Sequence, residues 1–304
     1  MKEKNIMKCA VIGANGYIGR HLCQNLESNN YKVYAYGKSK INNYITSDTI
    51  TYKSLDISNK GELSVINSDI DYVFVLSGIT GTNAGFDNHE EFLSINELGL
   101  LNILDYYRDK KDKPRIVFPS TRLIYKGSDQ PLKENDQKYP KSIYAINKLS
   151  CEKFLHAYSN YYSISFTIFR ICVPFGNVFN NNYSYGTIGF MLNNATQNTP
   201  ITLFGDGETK RTFTHINSIC KQIILSVQND HSVNQVYNIS GETLSLKEAA
   251  KIIGDKFNVD IRYDEWPRKY LLLETGNTVF DSTKIESLIK ISPMITFKDW
   301  VHKL

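Results

Sequence analysis

The stretch Cys9-Ala10-Val11-Ile12-Gly13-Ala14-Asn15-Gly16-Tyr17-Ile18-Gly19 runs from four apolar residues directly into a turn rich in glycine. Residues 20–26 then have a helical pattern, so the segment predicts a strand, a turn and a helix in that order. In such a unit Gly13 permits the tight turn, Gly16 lets backbone approach a ligand, and Gly19 lets the helix pack closely on the strand. The helix N-terminus offers unpaired N–H groups and partial positive charge, which suit a diphosphate. We therefore expect a dinucleotide site formed by Gly13, Asn15, Gly16, Tyr17, Ile18 and Gly19.

Short apolar runs that suit strands buried on both faces alternate with helical patterns along the first half of the chain. This alternation predicts an α/β protein with a doubly wound parallel Rossmann sheet. The expected strands are Lys8–Ile12, Lys32–Tyr36, Ile50–Ser54, Tyr72–Leu76, Arg115–Pro119 and Ser165–Ile171, and the clearest helices are Glu90–Asp109 and Ser142–Tyr161.

Beyond Ile171 the alternation becomes less regular. The expected elements there are the strand Ile201–Phe204, the turn Gly205-Asp206-Gly207, and helices near Ser245–Phe257 and Thr296–His302. We therefore predict a dinucleotide-binding Rossmann domain over residues 1–171 and, mainly over residues 172–304, a smaller C-terminal substrate-binding lobe. Segments at about 211–240 are expected to return to the Rossmann domain.

Length, composition and charge are those of a globular protein. With 304 residues, 41% of all residues apolar and 22% charged, the chain can bury a sizeable core. A net charge of +4 without a Lys/Arg cluster argues against nucleic acid as a partner, and no apolar run is long enough to span a membrane. The five cysteines are scattered without a Cys-x-x-Cys pair, so no metal is expected. We expect a cytoplasmic protein with reduced thiols and no signal peptide.

Tyr144 and Lys148 lie four residues apart in the expected helix Ser142–Tyr161, so they share one face of it. A free tyrosine has a pKa of about 10, and a neighbouring ammonium group favours the phenolate and lowers that pKa. Upstream, Ser120 and Thr121 end an expected strand, where hydroxyls point into the crevice beyond the carboxyl edge of the sheet. Alone, such a Tyr/Lys pair would equally fit a surface cation beside a packed ring.

Together with the glycine turn, this pair makes the chain resemble the extended short-chain dehydrogenase/reductase family, the group of nucleotide-sugar epimerases, dehydratases and reductases. The resemblance covers nearly the whole chain. The matching positions are the glycine turn, Asp56-Ile57, Asn96, Ser120-Thr121 with Ile124-Tyr125, Tyr144 with Lys148, Arg170 with Val173-Pro174-Phe175-Gly176, and the segment Gly205–Ile216. The resemblance implies a dinucleotide-dependent enzyme that acts on a nucleotide-activated sugar, and it implies a homodimer.

The resemblance also implies catalytic roles. Tyr144 would be the general acid/base on a sugar hydroxyl or ketone, and Lys148 would hold the nicotinamide ribose and lower the pKa of Tyr144. Thr121, with Ser120 as the alternative, would hydrogen-bond the reacting oxygen. His215 is expected to pack in a strand rather than to catalyse.

Further positions complete the implied binding sites. Beyond the glycine turn, Tyr144 and Lys148, the cofactor positions are Lys38, Ser39, Asp56, Ile57, Leu76, Ser77, Gly78 and Asn96. The substrate positions are Thr80, Thr121, Arg122, Tyr144, Asn177, Phe204 and Arg211. Arg211 would clamp the diphosphate, since a guanidinium fork suits it. Phe204 or Tyr183 could stack on the nucleotide base or simply pack the smaller lobe, so the base stays open.

The residues after Thr121 bear on the reaction. Family 4,6-dehydratases carry an acidic pair there, whereas this chain has Arg122-Leu123, so loss of water is not expected. Decarboxylation is disfavoured because no matching extra acid is present. A reductase would deliver hydride once to a 4-keto sugar, and a 4-epimerase would remove hydride and return it to the other face. A non-catalytic dinucleotide-binding regulator is least favoured, because such proteins tend to lose the Tyr/Lys pair.

The end of the second expected strand bears on the cofactor. Proteins that prefer NAD usually place a carboxylate there for the ribose 2′-hydroxyl. This chain instead has Gly37, followed by Lys38, Ser39 and Lys40, which would suit a 2′-phosphate. We therefore expect NADP, with NAD as the alternative. Because a dissociable NADPH suits a reductase, the 4-keto reductase is the expected function and the NAD-dependent 4-epimerase the alternative.

Overall fold

The computed structural model describes residues 6–42, 44, 47–176, 186–291 and 294–304. Its contacts divide the chain into two compact units. The first unit comprises Met1–Thr121, Ser142–Phe169 and Ile223–Val236, and the second comprises Arg122–Lys141, Arg170–Gln222 and Tyr237–Leu304. The domain boundaries expected from the sequence stay a prediction.

Each strand and helix that the sequence predicts is present among the described residues, with bounds that agree within three residues, and the structure adds elements that were not predicted, mostly beyond Ile171. The strands are β1 (Lys8–Ile12), β2 (Lys32–Gly37), β3 (Thr51–Ser54), β4 (Tyr72–Val75), β5 (Arg115–Thr121), β6 (Phe166–Ile171), β7 (Val173–Phe175), β8 (Ile201–Phe204), β9 (Lys210–His215), β10 (Gln235–Asn238), β11 (Glu242–Ser245) and β12 (Ile261–Asp264). The helices are α1 (Tyr17–Ser28), α2 (Ala84–Asp87), α3 (His89–Phe92), α4 (Gly99–Arg108), α5 (Ile143–Tyr162), α6 (Gly186–Thr196), α7 (Ile216–Val227), α8 (Leu246–Phe257), α9 (Arg268–Leu273), α10 (Thr283–Leu288) and α11 (Phe297–His302). Short 3-10 helices lie at Lys60–Val65, Arg122–Ile124 and Asp230–Ser232.

The expected helix Glu90–Asp109 is present, but it is not α-helical throughout. A π-helical turn, Leu93–Leu98, separates α3 from α4. The turn contains Asn96, whose backbone carbonyl accepts a hydrogen bond from Cys151 Sγ at 3.1 Å while its side chain bonds elsewhere. Such π turns are typical of functional positions, and apolar periodicity alone does not reveal them.

The central sheet has the strand order β10-β6-β5-β4-β1-β2-β3. Strands β3, β2, β1, β4 and β5 pair in parallel, with Ile12 opposite Tyr36 on one side and Val75 on the other. The chain direction across the sheet reverses between β1 and β4, and in such folds ligands bind at the carboxyl ends of the strands beside this point. The predicted doubly wound α/β class is confirmed.

Each unit has its own apolar core. In the first unit β4 is buried along its whole length, and α4 covers the sheet with Leu100, Ile103 and Tyr107, all at most 1% exposed. In the second unit the sheet β11-β9-β7 packs through Phe175 and Phe213 against Phe297 of α11, with ring centroids 5.1 and 5.5 Å apart. Burial of this extent holds the loops at the strand ends in fixed positions.

Candidate functional site

The glycine turn after β1 is closed by backbone contacts that leave no room for side chains. The N–H groups of Gly13 and Ala14 both donate to Tyr36 O, at 2.8 and 2.9 Å. Gly13 has a φ of +92°, and a Cβ there would lie 2.5 Å from Ser77 N in the loop after β4. A Cβ on Gly19 would lie 2.1 Å from Gly13 O. Helix α1 then begins after Gly16, which has no side chain to cap it, so its first N–H groups face the loop.

Asn15 and Tyr52 join the glycine turn to the end of β2. Asn15 Nδ2 donates to Tyr52 Oη at 3.0 Å, and Tyr52 Oη donates to Ser39 O at 2.6 Å. The other atom of the amide, Asn15 Oδ1, is buried and has no hydrogen-bond partner among the described residues. Sequence reasoning missed Tyr52, because a tyrosine in a strand carries no motif.

Lys38 and Asp56 form an ion pair at the ends of β2 and β3. Lys38 Nζ lies 3.0 Å from Asp56 Oδ2, while Ser58 N and Oγ donate to Asp56 Oδ1 at 3.0 and 2.7 Å. The Ser58 hydrogen bond, followed by the Lys38 contact, holds the pKa of Asp56 below its usual range. The following residue, Ile57, is 4% exposed and packs in the core of the first unit. The carboxylate of Asp56 thus lies beside Lys38, the cation that we expected to bind a 2′-phosphate.

Asn96 positions the loop that follows β4. Its Oδ1 accepts from Ile79 N at 2.8 Å and its Nδ2 donates to Ile79 O at 3.1 Å, so one side chain satisfies both backbone polar groups of Ile79. A Cβ on Gly78 would lie 3.0 Å from Asn96 Oδ1, which keeps this position small. Leu76 and Ser77 are half-buried in the same loop, and Thr80 is exposed.

Lys148 ties helix α5 to the end of β5. Its Nζ donates to Pro119 O at 2.8 Å and lies 4.4 Å from the centre of the Phe118 ring. The same nitrogen is 6.0 Å from the centre of the Tyr144 ring, one turn earlier on α5. Because Lys148 is 7% exposed, burial lowers its pKa to about 8. The helix starts where it does because Ser142 Oγ accepts from Ala145 N at 3.2 Å and caps it.

The two hydroxyls at the end of β5 are both buried. Ser120 is 4% and Thr121 8% exposed. Within the part of the chain that the structure describes, Ser120 Oγ has no hydrogen-bond partner. A buried hydroxyl without a partner is costly, so this atom is suited to a ligand that supplies one. In the first unit Lys148 thus lies beside Tyr144 and bonds to the strand that ends in Ser120 and Thr121.

In the second unit Arg211 is bound by a residue that sequence reasoning missed. Arg211 Nη2 lies 3.0 Å from both carboxylate oxygens of Glu274. Burial alone would raise the pKa of Glu274, but Arg211 and Arg122 outweigh it and hold that pKa below its usual range. The predicted diphosphate clamp therefore already holds an anion from its own chain.

Two further residues of the second unit that the sequence analysis singled out, Phe204 and His215, pack against aromatic rings. Phe204 packs against Trp266 and Tyr270, with ring centroids 5.4 and 6.1 Å apart. His215 is 4% exposed, packs edge-on against Phe175, and burial lowers its pKa to about 4. Asn177 and Tyr183, expected at the substrate, lie outside the described residues.

Among the described residues no His/Cys/Asp/Glu cluster could hold a metal ion, and none of their helices is long and apolar enough to cross a membrane. The first unit does fit a dinucleotide. Gly13, Gly16 and Gly19 leave backbone to face a diphosphate, and two buried atoms without a hydrogen-bond partner among the described residues, Asn15 Oδ1 and Ser120 Oγ, could bond to a ligand.

Comparison with known proteins agrees with this geometry. The model of the family described as "NAD dependent epimerase/dehydratase family" matches residues 9–240. A Bacillus subtilis protein named as an uncharacterized UDP-glucose epimerase is 25% identical, over 96% of this chain and 95% of its own. A UDP-glucuronate 4-epimerase of Thermodesulfobacterium geofontis is 28% identical, over 87% of this chain and 81% of its own. The fold is that of the Bacillus cereus UDP-glucuronic acid 4-epimerase crystallised with UDP-glucuronic acid and NAD, with a TM-score of 0.83, 23% identity, and coverage of 97% of this chain and 96% of that one.

Proposed function

Because the chain belongs to the NAD dependent epimerase/dehydratase family, we propose that it is an NAD-dependent 4-epimerase of UDP-activated sugars. Membership of this family confirms the predicted resemblance to the extended short-chain dehydrogenases/reductases, and with it the prediction of an enzyme of that type. The relatives described above are named as epimerases acting on UDP sugars, which favours the epimerase alternative over the 4-keto reductase that we expected. Uracil is the base that these names support.

The observation that carries the proposal is the position of Lys148. Its hydrogen bond to Pro119 O joins the carboxyl end of β5 to the face of α5 that bears Tyr144. A buried ammonium group at this point favours a phenolate and suits the ribose hydroxyls of a dinucleotide. A purely structural role for Lys148 would explain neither Tyr144 one turn away nor the Ser120 hydroxyl, which has no hydrogen-bond partner among the described residues.

In a 4-epimerase the same enzyme must oxidise and then reduce one carbon. When bound, NAD supplies the acceptor and later the donor of the hydride. Tyr144 takes the proton of the sugar 4-hydroxyl and later returns it to the 4-keto oxygen. Thr121, or Ser120, holds that oxygen by a hydrogen bond, and Lys148 stabilises the phenolate. Asn96 keeps the loop after β4 in place beside the glycine turn.

NAD rather than NADP fits the end of β2. Lys38, which was assigned to a 2′-phosphate, is paired with Asp56, and that carboxylate would repel a phosphate. Tyr52 Oη donates to Ser39 O and accepts from Asn15, which ties the end of β2 to the glycine turn. A self-recycling epimerase also has no need to exchange its cofactor.

The test is a direct assay of C4 configuration. The purified protein is incubated with NAD and UDP-glucose or UDP-glucuronate, and the products are separated and identified by proton NMR. We expect the C4 epimer with no net change in NADH absorbance, and near-stoichiometric NAD on denaturing release. Net oxidation of NADPH by a 4-keto UDP sugar, without any C4 epimer from either substrate, would instead establish the reductase.

A further inference from the structure

Two consecutive residues of the π-helical turn in the first unit, Asn96 and Glu97, bond to the same side chain of α5. Asn147 Nδ2 donates to Glu97 Oε1 at 2.6 Å, and Asn147 Oδ1 accepts from Asn96 Nδ2 at 3.4 Å. The two bonds use both polar atoms of the Asn147 amide, and they tie the π turn to α5 from two adjacent positions.

The burial of Asn147 makes these bonds important. Asn147 is fully buried, Asn96 is buried and Glu97 is half-buried. A buried amide that loses its partner costs the free energy of its lost hydration. A hydrogen bond to a carboxylate is shorter and stronger than one between neutral groups. We therefore expect the bond to Glu97, the shorter of the two, to fix the orientation of the Asn147 amide.

Asn96 extends this restraint to the loop after β4. Its Nδ2 is shared between Asn147 Oδ1 and Ile79 O, and its Oδ1 accepts from Ile79 N at 2.8 Å. The loop in turn packs on the glycine turn, since a Cβ on Gly13 would lie 2.5 Å from Ser77 N. A continuous series of contacts therefore runs from α5 and the π turn to the turn that is expected to hold the diphosphate.

On α5, Asn147 lies between the two residues expected to act on the sugar. It directly precedes Lys148 and follows Tyr144 by three positions. A second bond between the same two elements, from Cys151 Sγ to Asn96 O at 3.1 Å, lies one turn further along the helix. The π turn is thus where the loop after β4 is connected to the helix that carries the proposed proton-transfer residue.

We propose that Glu97 is a positioning residue, which through Asn147 and Asn96 holds the loop after β4 at a fixed distance from α5, and with it the cofactor at a fixed distance from Tyr144. The inference rests on the proposed function, in which NAD binds at the glycine turn beside that loop. Reacting atoms have to lie about 3–3.5 Å apart, and a displacement of about 1 Å lowers a rate about 100-fold. Glu97 thus acts on the rate through two amides, without binding the sugar or supplying a proton.

Hydrogen–deuterium exchange of the Ile79 amide tests this connection without turnover. In the wild type the Ile79 N–H is held by Asn96 Oδ1. Glu97→Ala should make it exchange about tenfold faster, measured by mass spectrometry on a peptide that spans residues 77–80, while peptides of β1 and β5 exchange as in the wild type. Faster exchange confined to the loop separates a positioning role from a general loss of stability.

Steady-state epimerisation of UDP-glucose measures the consequence for the reaction. Glu97→Ala should lower kcat about 10- to 100-fold, and it should change KM and the dissociation constant of NAD less than about threefold. NAD binding is retained because the N–H groups of Gly13 and Ala14 hold the glycine turn to Tyr36 O. A merely structural role would reduce the amount of folded enzyme and leave kcat per bound NAD unchanged.

Two conservative variants and a matched control complete the design. Glu97→Gln keeps an oxygen that accepts from Asn147 Nδ2, so it should recover most of the lost rate and most of the protection of Ile79. Glu97→Asp, shorter by one methylene group, should lie between the alanine and glutamine variants, and it serves if Glu97→Ala does not fold. Glu90→Ala removes an exposed carboxylate of α3 and should match the wild type in exchange, kcat and NAD binding.

The outcomes distinguish the role of Glu97 from the activity itself. Exchange of Ile79 at the wild-type rate in Glu97→Ala, or an unchanged kcat in that variant, would overturn the inference while leaving the epimerase intact. Faster exchange in every peptide would overturn it as well, because Glu97 would then stabilise the fold in general. Absence of any C4 epimer with the wild-type protein would overturn the proposed function, and the inference with it.

Discussion

The ammonium group of Lys38 lies 3.0 Å from the carboxylate of Asp56, although the two residues end different strands of the sheet. The pair sets a negative charge beside Lys38, the cation expected to bind a 2′-phosphate, and this contact between side chains 18 positions apart is what the local sequence around Gly37 did not reveal. Charge at this point is therefore the feature that we expect to set the choice between NAD and NADP.

Asp56→Asn should shift the cofactor preference toward NADP. The amide can still accept from Ser58, but it no longer neutralises Lys38 or repels a phosphate. We expect the ratio of the NADPH to the NADH dissociation constant to fall about tenfold, measured by fluorescence titration. Asp69→Asn, which breaks the ion pair with Lys8 at the amino end of β1, should leave that ratio unchanged. An unaltered ratio in Asp56→Asn would exclude this pair as a determinant.

Tyr144→Phe should abolish epimerisation and leave NAD binding nearly intact. The variant loses the hydroxyl that moves the proton but keeps the ring, so we expect kcat to fall at least 100-fold and the dissociation constant of NAD to change less than threefold. Tyr161→Phe is the control, because Tyr161 lies on the same helix and is 82% exposed. Turnover in Tyr144→Phe close to that of the control would refute the proton-transfer role.

Lys148→Met should change how stability depends on pH. In the unfolded chain Lys148 keeps its proton up to a pH of about 10.4, whereas in the folded protein its pKa is about 8. Between these values the unfolded state binds more protons, so the buried lysine makes stability rise with pH, and below pH 8 its desolvation cost is present in full. The methionine variant lacks this contribution, so its stability relative to wild type should be most favourable near pH 7 and decline by about 1–3 kcal/mol towards pH 10.

Urea unfolding at pH 7, 8, 9 and 10 measures that difference. Lys153→Met, at an exposed position of the same helix, serves as the control and should track the wild type. Parallel stability curves for Lys148→Met and wild type across this range would mean that the lysine titrates as it does in water.

The first six strands, the glycine turn and the position of Tyr144 were predictable because a short stretch of sequence determines each of them. The apolar run Cys9–Ile12 predicts a buried strand and forms one, and Ser142, a residue type that favours helix N-termini, caps the start of α5. The bonds of Asn15 to Tyr52 and of Arg211 to Glu274 were not predictable, since they join residues 37 and 63 positions apart. Such contacts follow from the tertiary packing of loops and strands, which a pattern of apolar residues does not specify.

Glu274→Gln should destabilise the protein strongly. The variant leaves Arg211 buried without its anionic partner, and loss of one member of a buried pair costs about 3–5 kcal/mol. Denaturant unfolding at pH 7 measures the loss, and the wild type should lose the same contribution as the pH falls below the usual glutamate range and Glu274 is protonated. Glu208→Gln breaks the exposed pair with Lys247 in the same unit and should cost less than about 1 kcal/mol. Equal effects of the two variants would show that the Arg211 pair is no more than a surface contact.

Gly16→Ala tests whether Gly16 is required for ligand binding or only for folding. Gly16 has a φ of −69°, which any residue adopts, and its added Cβ would lie 3.1 Å from Gly13 O, so a small shift accommodates it. We expect the free energy of unfolding to change by less than about 1 kcal/mol, but the dissociation constant of NAD to rise at least tenfold, because the methyl group takes the space of the diphosphate. Gly61→Ala, whose Cβ would lie 3.3 Å from Asn59 Oδ1 on an exposed turn, introduces a similar contact away from the site and should leave NAD binding unchanged. If Gly16→Ala bound NAD as the wild type does, the glycine turn would be a feature of folding alone and the dinucleotide would have to be held elsewhere.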